Sequence, residues 1–283
     1  MVRLVTIVAL ALLPSVAAAA EKLETTHLFG FTQGSDVNDV GETEGELETV
    51  GRFGKRGGSY TAIQTVAGIK SIPFKDFSIE PGIGVASRNI AGVPGLDDRR
   101  QLAVDSFGFE TRYRLLDRAH APFGLTLGAD PRWFRLDDIS GAQVDGYRSG
   151  FLALVDKELV ADRIFAAFNL VYELDASRSL LTNLWEHQSS LAITSALVMQ
   201  VQPGVLVGAE VRSLRSYDGL GLDTLTGRAL FVGPTLYWRF NARSWMGAAW
   251  SMQVAGRAVS VPGALDLVNF ERHHATLRFG YNF

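Results

Sequence analysis

The chain ends on ten residues, His274 to Phe283, in which polar and apolar positions alternate. Ala275, Leu277, Phe279, Tyr281 and Phe283 fall on one face, and His274, Thr276, Arg278, Gly280 and Asn282 on the other. A period of two is the signature of a β-strand with different surroundings on its two faces. With an apolar outer face and a polar inner face, about ten residues suffice to cross a bilayer at a tilt. The same alternation predicts about twelve strands, near 44–55, 59–72, 77–87, 104–115, 123–135, 147–157, 164–174, 187–202, 205–214, 229–240, 244–255 and 272–283.

The connections between these segments sharpen the expectation. Short ones (73–76, 117–122, 158–163, 203–204 and 241–243) alternate with longer ones (88–103, 136–146, 175–186, 215–228 and 256–271). Short periplasmic turns facing longer external loops are the habit of outer-membrane barrels. The stretch 55–58 breaks the rule, being an external loop by position but short. Phe74, Phe77, Phe123, Phe165, Trp238, Phe240, Trp245 and Phe283 cluster near the short turns, where an interfacial girdle is expected. A soluble β-sandwich would also alternate. The two ends of the chain favour the membrane.

Arg3, the apolar run Leu4 to Leu13, Pro14 and Ala18-Ala19-Ala20 read as a signal peptide cleaved after Ala20, too short to span as a helix. The expected organisation is therefore a signal peptide at 1–20, an N-terminal periplasmic or plug segment at 21–43, and a barrel at 44–283. The fold class is all-β, a single antiparallel up-and-down transmembrane β-barrel of about 12 strands. The hydrophobic fraction is 47%, dispersed in alternation rather than gathered into helical spans. Cysteine is absent, which excludes disulfides and thiol chemistry. A net charge of −3 without a basic cluster gives no footprint for nucleic acid.

If apolar faces meet lipid, the opposite parity lines the lumen. That places Glu44, Glu46, Glu48, Glu80, Glu110, Arg112, Arg114, Asp130, Arg132, Glu173, Glu210, Arg212, Arg239 and Arg278 inside. Charges in a confined interior must pair. They either fill and stiffen the lumen or line a polar path for a small solute, as at pore constrictions. In the N-terminal segment, Asp36, Asn38, Asp39 and Glu42 lack the spacing of a calcium loop, and a solvated linker is the plainer reading. His273 and His274 point to opposite faces and cannot share an ion. No metal or other cofactor is expected.

His187 and Ser189 share a parity with the lipid-facing Leu191 and Ile193. A His two residues before a Ser on the outer face of a twelve-stranded barrel resembles the outer-membrane phospholipase A family. That resemblance implies a Ser nucleophile with a His base. The Asn-Gly pair that follows the family's Ser is replaced here by Ser190-Leu191, and Asn183 is only a distant candidate for the orienting residue.

The segments His27-Leu28-Phe29-Gly30-Phe31-Thr32, Gly92-Val93-Pro94-Gly95-Leu96-Asp97-Asp98, Tyr113-Arg114-Leu115-Leu116-Asp117, Trp250-Ser251-Met252-Gln253-Val254-Ala255-Gly256 and Asp266-Leu267-Val268-Asn269-Phe270-Glu271 resemble a group of uncharacterised proteobacterial exported barrel proteins. That group is loosely similar to outer-membrane barrels associated with aromatic-compound degradation. The resemblance implies an uptake barrel and assigns no site residues. The favoured expectation is passive passage of an unidentified small solute. A non-conducting structural or adhesion barrel is the rival, and a hydrolase using Ser189 and His187 comes third. Expected partners are outer-membrane lipid, together with the periplasmic chaperones and barrel-assembly machinery that would read the last strand ending at Phe283.

Overall fold

A computed structural model describes residues 24–283. The signal-peptide reading of residues 1–20 lies outside the described residues. Twelve strands form: β1 Thr43–Phe53, β2 Ser59–Phe74, β3 Phe77–Ala91, β4 Arg99–Leu116, β5 Gly124–Leu136, β6 Gln143–Val160, β7 Ile164–Ser179, β8 Trp185–Gln202, β9 Val205–Asp218, β10 Thr224–Arg239, β11 Ser244–Ala258 and β12 His273–Asn282. Each pairs antiparallel with its neighbours in sequence, and β12 closes onto β1 from Glu44 opposite Asn282 to Phe53 opposite His273. Closure removes the free sheet edges that could not be satisfied in lipid.

The alternation sorts the side chains as the physics requires. Leu47, Ile83, Phe107, Phe168, Leu197 and Leu277 stand outside, each between 45% and 59% exposed. An apolar belt of this extent is stable only against a membrane. On the other parity Glu44, Lys70, Arg112, Glu210, Arg212 and Arg278 are buried.

The strands are longer than the hydrophobic alternation suggests. β4 begins at Arg99 rather than near 104, and β6 at Gln143 rather than near 147. The ladder continues through polar residues above the membrane, because backbone hydrogen bonding does not need an apolar face. Most external connections are correspondingly short, such as 137–142 and 180–184, and only 259–272 is long. The expected contrast in loop length is therefore much weaker than it looks in the sequence.

Two members of the expected girdle face the other way. Phe165 and Trp245 are buried in the interior, because they share parity with Ala167 and Gly247, which also face inward. Phe74 and Phe77 do stack outside, with ring centres 4.5 Å apart, and Trp238 and Phe240 pack there with tilted rings at 4.4 Å.

The β4–β5 seam is interrupted in mid-strand. The β4–β5 ladder passes from Gly108 opposite Arg132 to Thr111 opposite Ala129, leaving Phe109, Glu110, Asp130 and Pro131 unpaired between. Pro131 has no N–H to offer, so the ladder cannot run through it.

Candidate functional site: the occupied lumen

The interior is built in three levels. The periplasmic half holds residues 24–42, which have no strand of their own but enter the barrel. An irregular chain inside a barrel must find partners for its backbone N–H groups. The wall supplies them. The Glu210 carboxylate accepts from the N–H groups of Gly30 at 2.6 Å, Phe31 at 2.9 Å and Thr32 at 3.2 Å. Asn169 on β7 accepts from Gln33 N at 2.7 Å and donates to Gln33 O at 2.8 Å. Asp156 on β6 accepts from Ser35 N at 2.7 Å. Arg118, in the β4–β5 turn, reaches Asp36 at 2.8 Å.

The apolar residues of the segment complete a small core. Leu28 and Phe29 are fully buried against Phe165, Val198, Leu206, Tyr237 and Trp245. Close fit dictates two glycines. A Cβ on Gly30 would lie 2.2 Å from that of Ala249, and one on Gly34 would lie 2.2 Å from Thr25 O, where the chain folds back on itself. His27 stacks on Trp245 at 4.0 Å and lies 3.2 Å from both Glu44 and Lys70. Burial, then the Lys70 charge, push the His27 imidazole below its ordinary range, against the pull of Glu44 and Glu46.

The middle level is a chamber of about 240 Å³. Among the described residues, Glu46, Glu48, Glu80, Glu110, Asp130 and Glu173 line it, against Arg112, Arg132 and Arg278. Its pairs are local: Arg278 to Glu48 at 2.8 Å, Arg132 to Asp130 at 3.1 Å, and Arg112 to Glu110. Glu80 and Glu110 are direct cross-strand partners, a like-charge apposition that costs stability. Lys70 offsets part of that cost, lying 3.1 Å from Glu44, 3.6 Å from Glu46 and 3.7 Å from Glu80.

The external level is closed by loops. Asp138, from the β5–β6 connection, reaches Arg148 at 2.8 Å and Arg52 and Arg88 at 3.6 Å each. Burial alone would raise its carboxyl; the three guanidiniums outweigh it and hold the group well below the carboxylate range. The 259–272 loop folds in beside it. Glu271 pairs with Lys55 at 3.0 Å and His274 at 3.1 Å, and Lys55 also donates to Val268 O and Phe270 O. The short 54–58 connection thus serves to pin the long loop.

All fourteen residues expected on the inner face lie at these levels. Glu44, Arg114 and Arg239 line a vestibule of about 410 Å³ at the periplasmic mouth. Nine line the chamber, Glu210 holds the segment, and Arg212 packs 3.6 Å from the Phe31 ring centre. The alternation did not single out Lys70, Arg88, Arg148 or Asp138. Lys70, Arg88 and Arg148 stand in inward rows of mostly small or apolar residues, such as Ala62, Val66 and Gly68 on β2, and Asp138 lies in a connection where parity does not apply.

The Ser189–His187 pair lacks the geometry of a nucleophile and its base. The Ser189 hydroxyl donates to Gly219 O at 2.7 Å and accepts from Leu222 N at 3.2 Å. No hydrogen bond joins it to His187 among the described residues; the His187 ring packs beside Trp185 at 6.2 Å. His273 lies outside on Trp250, and His274 lies inside on Phe231. Asp36 and Asn38 are engaged by Arg118 and Glu24. No cluster of metal-ligating side chains occurs among the described residues.

Glu24 sits at the vestibule, open to water yet recessed. Enclosure, then Glu42, Asp36 and Glu44, raise its carboxyl to about 7. A carboxyl raised in the folded chain favours the seated segment at low pH, and that contribution is lost as pH rises through about 7. Amide protection at Thr25 to Leu28 is therefore expected to fall between about pH 4.5 and 7 in hydrogen exchange, and to stay level in Glu24→Gln. An unchanged pH dependence in that variant would remove Glu24 as the cause.

The fold is shared with a solved outer-membrane barrel. The COG4313 outer membrane channel from Pseudomonas putida F1 superposes with a TM-score of 0.60 at 12% identity, covering 88% of this chain and 98% of that one. The toluene transporter TodX from Pseudomonas putida gives a TM-score of 0.41 at 9% identity, over 90% of this chain and 94% of that one. No curated protein matches the sequence. Residues 21–283 match a family model over nearly the whole chain, and the protein belongs to DUF6662, a family of unknown function.

Proposed function

We propose that the protein is an outer-membrane barrel that passes a small solute through its lumen, and that residues 24–42 act as its plug. The carrying observation is the chamber between two closures. A charged space of about 240 Å³ is bounded below by the segment and above by the Asp138 and Glu271 contacts. A barrel needing only rigidity would be filled by wall side chains, as eight-stranded barrels are. Here much of the filling comes from a segment held by hydrogen bonds to Glu210, Asn169 and Asp156, which can detach without breaking the wall ladder. The Pseudomonas putida F1 barrel that shares this fold is an outer membrane channel, which supports this reading.

A non-conducting structural barrel is the second reading. It is favoured by the close pairing of interior charges, such as Arg278 with Glu48. Ion current across a planar bilayer separates the two. Passage through the chamber predicts current steps that change when Glu46→Gln or Arg112→Gln is introduced. It also predicts a preference for cations, since six carboxylates face three guanidiniums there. Steps unaffected by either substitution would remove the chamber from the path, and a folded barrel that stays silent would support the structural reading.

A further inference from the structure

The β9–β10 connection, residues 219–223, does not project from the barrel but lies down on its outer wall. Gly219 N donates to His187 O at 2.9 Å. The Ser189 hydroxyl holds both Gly219 O and Leu222 N, and the Tyr172 hydroxyl donates to Leu220 O. Gly219 and Leu222 both adopt left-handed backbone conformations, with φ of 82° and 58°. For Leu222 that is a strained state, kept only because the contacts over-determine it.

The strap turns a convex wall into a concave one. Leu220 closes one side of a groove of about 410 Å³ whose other walls are Phe107, Phe109, Trp133, Tyr147 and Leu174. The groove is almost wholly apolar. Its floor crosses the β4–β5 seam at Pro131, where the ladder is interrupted. At its external rim the exposed Arg135 guanidinium lies 5.9 Å from the Trp133 ring centre and has no ion-pair partner among the described residues. The Trp133 indole is itself fixed by donation to Asp145 at 2.8 Å.

We infer that this groove seats an acyl chain of an anionic lipid, with Arg135 meeting the head group. The occupant follows from position and charge. The groove opens on the lipid-facing belt, so acyl chains are what the bilayer presents to it. A lone cation at its external edge, above an aromatic ring at the interface, selects a negative head group. The inference stands apart from the channel reading, since it concerns the outer wall alone.

The test uses the full-length barrel in phosphatidylcholine nanodiscs carrying a minority of a lipid with a photoreactive acyl chain. The probe lipid is either phosphatidylglycerol or phosphatidylcholine. Adducts are expected to concentrate at Phe107, Phe109 and Tyr147 over Leu277 to Tyr281 on the other wall. Phosphatidylglycerol should be favoured by about fivefold, the scale of one arginine at a membrane surface. Leu220→Ser should reduce the groove adducts, and Arg135→Gln should erase the preference for phosphatidylglycerol. Both changes lie on exposed surface and leave the ladder intact. Adducts spread evenly around the belt, or unaffected by Leu220→Ser, would overturn the groove. Equal labelling by the two lipids would overturn the anionic assignment.

Discussion

Removing residues 24–42 is expected to convert a barrel of low or flickering current into one with stable steps several-fold larger. The reasoning is steric and then energetic. The segment fills the periplasmic half of the lumen with Leu28 and Phe29 and bridges walls as far apart as β1, β6 and β9 through Glu44, Asp156 and Glu210. Without it those residues face water, and twelve strands enclose a lumen wider than side chains alone fill. The barrel should survive the deletion, because all twelve ladders lie in the wall and the segment adds only the Gly41 and Glu42 backbone bonds to Ile72 at the end of the β1–β2 ladder. Exposed Phe165 and Trp245 will cost some stability, so folding is checked by resistance to unfolding in detergent. A folded deletion variant with the current of the intact chain would show that the segment is not the barrier.

Lys70→Met is expected to give the largest loss of stability of any single change in the interior. Lys70 is the cation shared by Glu44, Glu46 and Glu80 and is itself buried. Breaking a buried ion pair by removing one partner costs about 3–5 kcal/mol, because the remaining charges stay buried and uncompensated. Here three carboxylates are left, with Glu110 directly opposite Glu80. Urea unfolding in lipid vesicles measures the loss. The double change Lys70→Met with Glu44→Gln should recover a substantial part of it, since one of the stranded charges is then gone. A loss below about 1 kcal/mol, the scale of an exposed pair, would mean that water reaches the cluster and screens it.

The barrel itself was legible because the alternation of apolar and polar positions recurs in strand after strand along the chain. A strand with one face in lipid has to write its orientation into every second residue. The inner charges were legible by the same parity, which is why Glu46, Arg112 and Arg278 could be named from spacing. The limits are equally physical. Lys70 sits in a row with Ala62, Val66 and Gly68, so nothing in its neighbours marks it as inward. Phe165 and Trp245 look like girdle residues because aromatic character alone does not tell an interface from an apolar core. The three-arginine clasp around Asp138 joins a loop residue to β1, β3 and β6, and no local pattern reports a meeting of four distant segments. The hold on residues 24–42 was illegible for a related reason. Glu210 recognises backbone N–H groups, and backbone carries no sequence signal.

The measurement that tests the account most directly uses the absence of cysteine. The hydroxyls of Thr32 in the segment and Thr194 on β8 lie 3.1 Å apart, so a Thr32→Cys, Thr194→Cys pair can form the one disulfide in the protein. Single-channel current is recorded in a planar bilayer with the pair oxidised and again after a reductant is added to the same membrane. The account predicts a silent barrel when oxidised and discrete current steps when reduced. Identical current in the two states would contradict it.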